Sequence, residues 1–174
     1  MEVKGAGLLY TLATLSVTFA GFAALLLMLR QSAGGGLSAL DRFLARTVVG
    51  HFFWLAVGGV FPSVLSLYEL PEPWVWRVSA LLFGLPMLAI LLTFQHRRIA
   101  ATGKAAPLRI VIVFIGLGSL SLVAMIGYVF ANLAYPAAAY ASAITVNFVT
   151  HGYAVVTALE VILSQQAEVT PKGR

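Results

Sequence analysis

The sequence predicts an all-α membrane protein, a bundle of five transmembrane helices. Hydrophobic residues make up 60% of the 174-residue chain and charged residues only 10%, whereas soluble domains are roughly half apolar and a quarter charged. Five apolar stretches each reach the length of about 20 residues that a helix needs to cross a bilayer. Basic residues gather in alternate gaps between these stretches. We therefore expect a single integral membrane domain over residues 1–174.

The first predicted span covers residues 8–29. Its apolar run is longer than the roughly 7–15 residues of a signal-peptide core, and no small-residue cleavage site follows it, so we expect a retained helix. After a glycine-rich connection, Ser38 is a candidate helix cap for a short interfacial helix. The second predicted span covers residues 47–67, and Pro62 should kink or break it near its outer end.

The third predicted span covers residues 75–94 and contains Pro86. A rigid acidic turn with two prolines precedes it. Trp74 and Trp76 lie at its start, at the depth where indole rings favour the membrane interface. The span is followed by a basic connection over residues 95–107, which we expect to lie outside the membrane.

The last two predicted spans form a hairpin. The fourth covers residues 108–131 and is rich in glycine and serine. A tight turn that ends at Pro136 leads to the fifth, residues 137–163, and a polar tail follows over residues 164–174. All five spans are long enough for a hydrocarbon core about 30 Å thick and leave room for tilt.

The orientation is predicted from the division of basic residues between the two sides. One side would hold Arg30, Arg42, Arg46, Arg97, Arg98, Lys104, Arg109, Lys172 and Arg174, and the other only Lys4 and Arg77. Cytoplasmic loops carry the excess of lysine and arginine. We therefore expect the amino terminus outside, the carboxy terminus in the cytoplasm, and a multi-pass location in a bacterial inner (plasma) membrane.

Asn147 and His151 are the strongest candidates for a functional site. They are four residues apart and so share one helical face, and His151 lies about 20 Å from either end of its span. Polar side chains at such a depth mark ion paths, substrate pockets or proton relays. The alternative is that both side chains only hydrogen-bond to neighbouring helices and hold the bundle together.

His51 and Glu160 are further polar candidates within the spans. His51 lies about 6 Å from the end of its predicted helix, far from the depth of His151. Two axial ligands must flank one haem iron at nearly one level, so the sequence disfavours a haem between these histidines. Glu160, about one turn from the cytoplasmic end, could attract cations or form a structural ion pair.

Four arginines are candidates for contact with lipid or another anion. They are Arg42 and Arg46, which share a helical face after Asp41, and Arg97 and Arg98. The alternative is that these charges only set the topology.

Small residues define two faces suited to close helix contact. The first consists of Gly7, Thr11, Thr14, Thr18 and Gly21, and the second of Gly50, Trp54, Gly58 and Gly59. We expect both faces to pack against helices of the same chain.

The sequence contains no catalytic motif. The absence of cysteine excludes disulfides, thiolate metal sites and thiol catalysis. No phosphate-binding loop, nucleophile elbow, His-Glu-x-x-His motif or closely spaced pair of carboxylates is present. We therefore predict a protein that is not an enzyme and that has no metal, no cofactor and no nucleic-acid partner.

The leading functional interpretation is a homo-oligomeric channel or transporter for an ion or small solute. The alternative is an accessory or scaffold subunit of a larger membrane complex, and a haem-binding redox carrier is a third possibility. The expected partners are the lipid bilayer and either another copy of the chain or another membrane protein.

Overall fold

A computed structural model describes residues 3–32 and 37–169, and their regular secondary structure is entirely helical. The helices are α1 (Ala6–Ser32), α2 (Ala39–Ser66), α3 (Glu72–Leu92), α4 (Phe94–Thr102), α5 (Leu108–Phe130) and α6 (Pro136–Val169). Side chains are described for most of residues 3–32 and for residues 37–157. The predicted all-α class is confirmed.

Four helices of the described chain are long and apolar enough to span a membrane. They are α1 over Ala6–Leu29, α2, α3 and α5. Helix α6 has 34 residues, which at 1.5 Å per residue is ample length, but polar residues such as Asn147 and His151 lower its mean hydropathy. The fifth span and the orientation of the termini stay predictions.

Helix α2 begins earlier than predicted. Asp41 N–H donates to Ser38 Oγ over 3.1 Å, and Ser38 N–H donates to Asp41 Oδ2 over 2.9 Å, so the two residues form a capping box. The predicted cap at Ser38 is confirmed, but the separate interfacial helix is wrong because residues 39–46 are the first turns of α2. The helix also continues through Pro62 to Ser66 without the expected break.

Helix α4 occupies much of the predicted basic connection. Thr93 N–H donates to Ala89 O and Arg97 N–H donates to Thr93 O, so the chain passes from α3 into α4 with only a one-residue interruption. Gly103, with a φ of +70°, ends α4, as glycine often ends a helix in the left-handed conformation. At the start of α3, Trp74 is exposed as expected, whereas Trp76 is only 1% exposed and packs in the core.

Helix α5 is not uniform. Its segment Val111–Leu117 is a π-helix, flanked by the α-helical segments Leu108–Ile110 and Gly118–Phe130. π-Helical turns are rare and occur frequently near functional sites. Hydropathy does not distinguish π from α geometry, so this feature was not predicted.

Helix α6 lies at the centre of the bundle and contacts α1, α2, α3 and α5. Its Tyr140 is fully buried and donates its hydroxyl to Gly58 O of α2 over 2.8 Å. The helix continues past the predicted end of the fifth span to Val169, and residues 170–174 of the predicted tail lie outside the described residues.

Helix α1 packs mainly along α2. The contact is close at Gly59, where an added Cβ would lie 2.7 Å from Leu9 O, so the predicted packing of the α2 small-residue face is confirmed at this point. The α1 face is different, because the buried residues of α1 include Leu9, Leu12, Ala13 and Ser16 rather than the predicted ones. The five predicted contact residues Gly7, Thr11, Thr14, Thr18 and Gly21 are all exposed, so the expected intramolecular packing of that face is wrong.

Candidate functional site

The most unusual group of side chains in the bundle is a pair of histidines in contact. His51 of α2 and His151 of α6 have ring centroids 4.6 Å apart, with the ring planes at 70°. Each residue is only 2% exposed. We call these two residues the histidine pair.

The histidine pair corrects the depth that was predicted for His51. Because α2 begins at Ala39, His51 lies twelve residues into the helix, which is about 18 Å at 1.5 Å per residue. The predicted difference in level between His51 and His151 is therefore wrong. The early start of α2 brings the two rings to one level.

The ring nitrogens of both histidines are used in the same way. His151 Nδ1 donates to Asn147 O over 2.5 Å, and a backbone hydrogen bond links His51 to Thr47 one turn earlier in α2. Both Nε2 atoms are buried and have no hydrogen-bond partner among the described residues. In a neutral imidazole whose Nδ1 donates, Nε2 carries the lone pair, so each ring keeps one nitrogen able to take a proton or a metal ion.

Aromatic rings surround the histidine pair and keep its environment apolar. Phe114 of α5 lies 4.6 Å from His151 and 5.3 Å from His51, measured between ring centroids. Phe52 lies 6.2 Å from His151, and Phe94 lies 5.1 Å from Phe114 on the side of α4. Phe114 is part of the π-helical segment, so the irregular turn of α5 supplies the ring that covers both histidines.

Asn147 lies one turn before His151 on α6 and faces α5. Its Nδ2 donates to Ser121 Oγ and to Ala143 O, each over 2.9 Å. Its Oδ1 is buried and has no hydrogen-bond partner in the described part of the chain. The Asn147 amide therefore joins α6 to α5. Its Oδ1 remains an acceptor without a described partner, one helical turn from His151.

The chain has no match among the protein-family models, curated proteins and solved structures with which it was compared. The interpretation of the site therefore depends on its geometry.

The remaining predicted site residues are not part of the histidine pair, although Arg97 is near enough for its charge to act on His51. Arg42, Arg46 and Arg97 are exposed, and Arg98 is partly buried at the end of the bundle where α2 begins. Partial burial lowers the pKa of Arg98, and burial together with the nearby Arg46 lowers the pKa of Arg97. The side chain of Glu160 lies outside the described residues.

The histidine pair does not have the geometry of a haem site. A haem with two axial imidazoles lies between the rings, but the rings of His51 and His151 touch each other edge to face. No group of three or more His, Cys, Asp or Glu residues that could hold a metal ion occurs within the described ranges. Exchange of a proton at Nε2 requires neither a haem nor a metal ion.

Two residues of the site were missed by sequence reasoning. Ser121 was noted only as one of several small residues in the fourth span, yet it is the partner of Asn147. Phe114 had no distinguishing signal, because one phenylalanine in an apolar segment resembles any other.

Proposed function

We propose that the protein moves protons across the membrane by way of the histidine pair. The observation that carries this proposal is that two histidine rings touch inside the bundle while both Nε2 atoms are buried without a described partner. A buried polar atom without a hydrogen bond costs free energy. Imidazole is the side chain that exchanges a proton most readily near neutral pH, and intramembrane histidines occur in proton relays.

A proton suits this site better than a hydrated ion. The histidine rings pack against each other and against Phe114, so passage of a hydrated ion would require the rings to separate. A proton needs only a nitrogen lone pair and a partner within hydrogen-bond reach. Because the histidine pair is buried within one chain, a homo-oligomer would carry one such site in each subunit.

The proposed topology has five spans, with α6 as the fifth, the amino terminus outside and the carboxy terminus in the cytoplasm of a bacterium. The central position of α6 among the four apolar helices supports the fifth span. Its polar residues Asn147, Thr150 and His151 are buried and so face protein rather than lipid, which is the arrangement expected of polar groups within a membrane.

Proton flux into liposomes tests the proposed function. The purified protein is reconstituted with a pH-sensitive dye inside the vesicles, and a potassium diffusion potential drives protons inward. We expect flux above that of empty vesicles, and we expect His51→Gln and His151→Gln each to lower it by about tenfold or more, because glutamine cannot carry a proton at this position.

His96 provides the matched control. It is exposed on α4, away from the histidine pair, so His96→Gln should leave the flux unchanged. Flux no greater than that of empty vesicles would reject the proposal, and so would equal flux in all three variants.

A docking subunit of a larger membrane complex is the second candidate function. The observation in its favour is the outward face of α1, where Thr11, Thr14 and Thr18 donate their hydroxyls to carbonyls of their own helix. Gly7 and Gly21 on the same face have nothing within 4 Å of an added Cβ in the described chain. Small residues that leave a flat surface favour close approach of another transmembrane helix.

Substitution on this face tests the docking function. We expect Thr14→Phe to remove a co-purifying membrane protein in mild detergent, because the ring would fill the flat surface, while Leu120→Phe on the exposed side of α5 should retain it. Native mass spectrometry of both variants measures the outcome. Detection of the single chain or its homo-oligomer alone would exclude this function.

A further inference from the structure

An open cavity lies at the end of the bundle where α2 and α5 begin. It has a volume of about 80 Å³ and is formed by α2, α4, α5 and α6. Most of its lining is apolar, from residues that include Leu40, Leu44, Phe94 and Ile110. We call it the basic-end cavity, because the charged residues among its described lining are two arginines.

The two arginines are Arg98 of α4 and Arg109 of α5, and none of the described side chains that line the cavity is acidic. Arg98 is partly buried, and its Nε atom is buried without a hydrogen-bond partner in the described chain. Burial lowers the pKa of Arg98, since removal from water disfavours the charged form of the side chain. An anion bound beside Arg98 in the cavity would accept a hydrogen bond from Nε and offset the cost of burying the charge.

The connection between α4 and α5, which separates the two arginines along the chain, is held in place by hydrogen bonds. Ala106 N–H donates to Gln95 Oε1 over 2.9 Å and so ties the residues before α5 to α4. Thr102 Oγ1 donates to Arg98 O over 2.8 Å within α4. The basic-end cavity is therefore formed before a ligand binds, which reduces the entropy that the protein loses on binding.

We propose that the basic-end cavity binds an anionic phospholipid, with the lipid phosphate between Arg98 and Arg109 and the adjoining methylene groups in the apolar part of the cavity. Two features select this occupant over a soluble anion. Apart from the arginines and two threonines the lining is apolar, which suits a hydrocarbon chain, and the cavity is partly open rather than enclosed. Basic residues at membrane ends attract anionic headgroups, and the cavity adds a defined place for one of them.

This inference is independent of proton transport. The cavity lies beside Phe94, which contacts Phe114, so Phe94 and Phe114 together separate the lipid site from the histidine pair. Of the four arginines that were predicted to contact lipid or anions, only Arg98 lines the cavity. The other arginine in the lining is Arg109, which was not among the four.

The test is lipid binding to the full chain, purified in detergent and stripped of lipid, by native mass spectrometry. Phosphatidylglycerol should bind at one site at least tenfold more tightly than phosphatidylcholine. Arg98→Gln and Arg109→Gln should each weaken phosphatidylglycerol binding about tenfold. Leu44→Trp, which fills the apolar part without changing the charge, should also weaken it.

Arg97→Gln is the matched control. Arg97 is the exposed neighbour of Arg98, and its substitution changes the net charge by the same amount as Arg98→Gln. It should leave phosphatidylglycerol binding unchanged. Equal binding of both lipids, or an equal effect of Arg97→Gln and Arg98→Gln, would overturn the proposal. Inorganic phosphate that binds as tightly as phosphatidylglycerol would also overturn it, because the site would then recognise a soluble anion.

Discussion

Gly59→Leu is expected to force α1 away from α2 and to destabilise the bundle. An added Cβ at Gly59 would lie 2.7 Å from Leu9 O and 3.0 Å from Ala13 Cβ. Leu9 O belongs to the backbone of α1, so rotation of a flexible side chain cannot relieve the clash. We expect a loss of about 3 kcal/mol in the free energy of unfolding, the upper end of the usual cost of overpacking.

The measurement is the free energy of unfolding in mixed micelles with increasing denaturing detergent. Gly50→Leu is the matched control on the same helix, because nothing in the described ranges lies within 4 Å of an added Cβ at Gly50. It should change stability by less than about 0.5 kcal/mol. Similar losses for the two variants would mean that α1 does not approach α2 at Gly59.

The double variant His51→Leu/His151→Leu is expected to be more stable than the natural protein and inactive in proton flux. Each histidine buries an Nε2 atom without a described partner, and a buried unsatisfied polar group costs about 1–3 kcal/mol. The substitution also loses the His151 Nδ1 bond to Asn147 O, worth about 0.6 kcal/mol inside a membrane. With two such atoms removed, the net gain should be about 1–5 kcal/mol.

Tyr140→Phe is a control that should lower the free energy of unfolding, whereas the double histidine variant should raise it. It removes a buried hydroxyl that does have a partner, Gly58 O at 2.8 Å, and should cost about 1 kcal/mol. The unfolding assay described for Gly59 measures both variants. A double variant less stable than the natural protein would show that the histidines are packed for stability, which was the alternative drawn from sequence.

Hydropathy predicted the approximate positions of the four apolar helices because the bilayer imposes one length on every span. It failed at helix ends with charged residues. Asp41, Arg42 and Arg46 were predicted to lie in a short interfacial helix before the second span, but Asp41 completes the cap of α2 and the arginines belong to the same continuous helix. In the same way, α4 was hidden because a short basic helix outside the membrane has no apolar period to reveal it.

The failure at the start of α2 also concealed the site. His51 was predicted near the end of its helix and at a different level from His151, which disfavoured the contact that the two rings make. The special status of Asn147 and His151 was predictable, since polar residues within an apolar span are costly and few. Which helix each of them faces was not predictable from one sequence.

Packing faces were the least predictable feature. The small residues Gly7, Thr11, Thr14, Thr18 and Gly21 of α1 were expected to contact another helix of the chain, but they are exposed, and Leu9 and Ala13 approach α2 at Gly59. In water, an apolar stripe identifies the buried side of a helix. In lipid both sides are apolar, so the stripe carries no such information.

The π-helical segment Val111–Leu117 gives α5 a tolerance to changes in length. A π-helix closes its hydrogen bonds between residues i and i+5, so it accommodates the equivalent of an inserted residue. Deletion of one residue there can be absorbed by a return to α geometry, which turns Leu108–Ile110 by about 100° around the axis. Arg109 would then leave the basic-end cavity, while Ser121 would keep its place beside Asn147. The lipid site and the polar contact between α5 and α6 can therefore evolve separately.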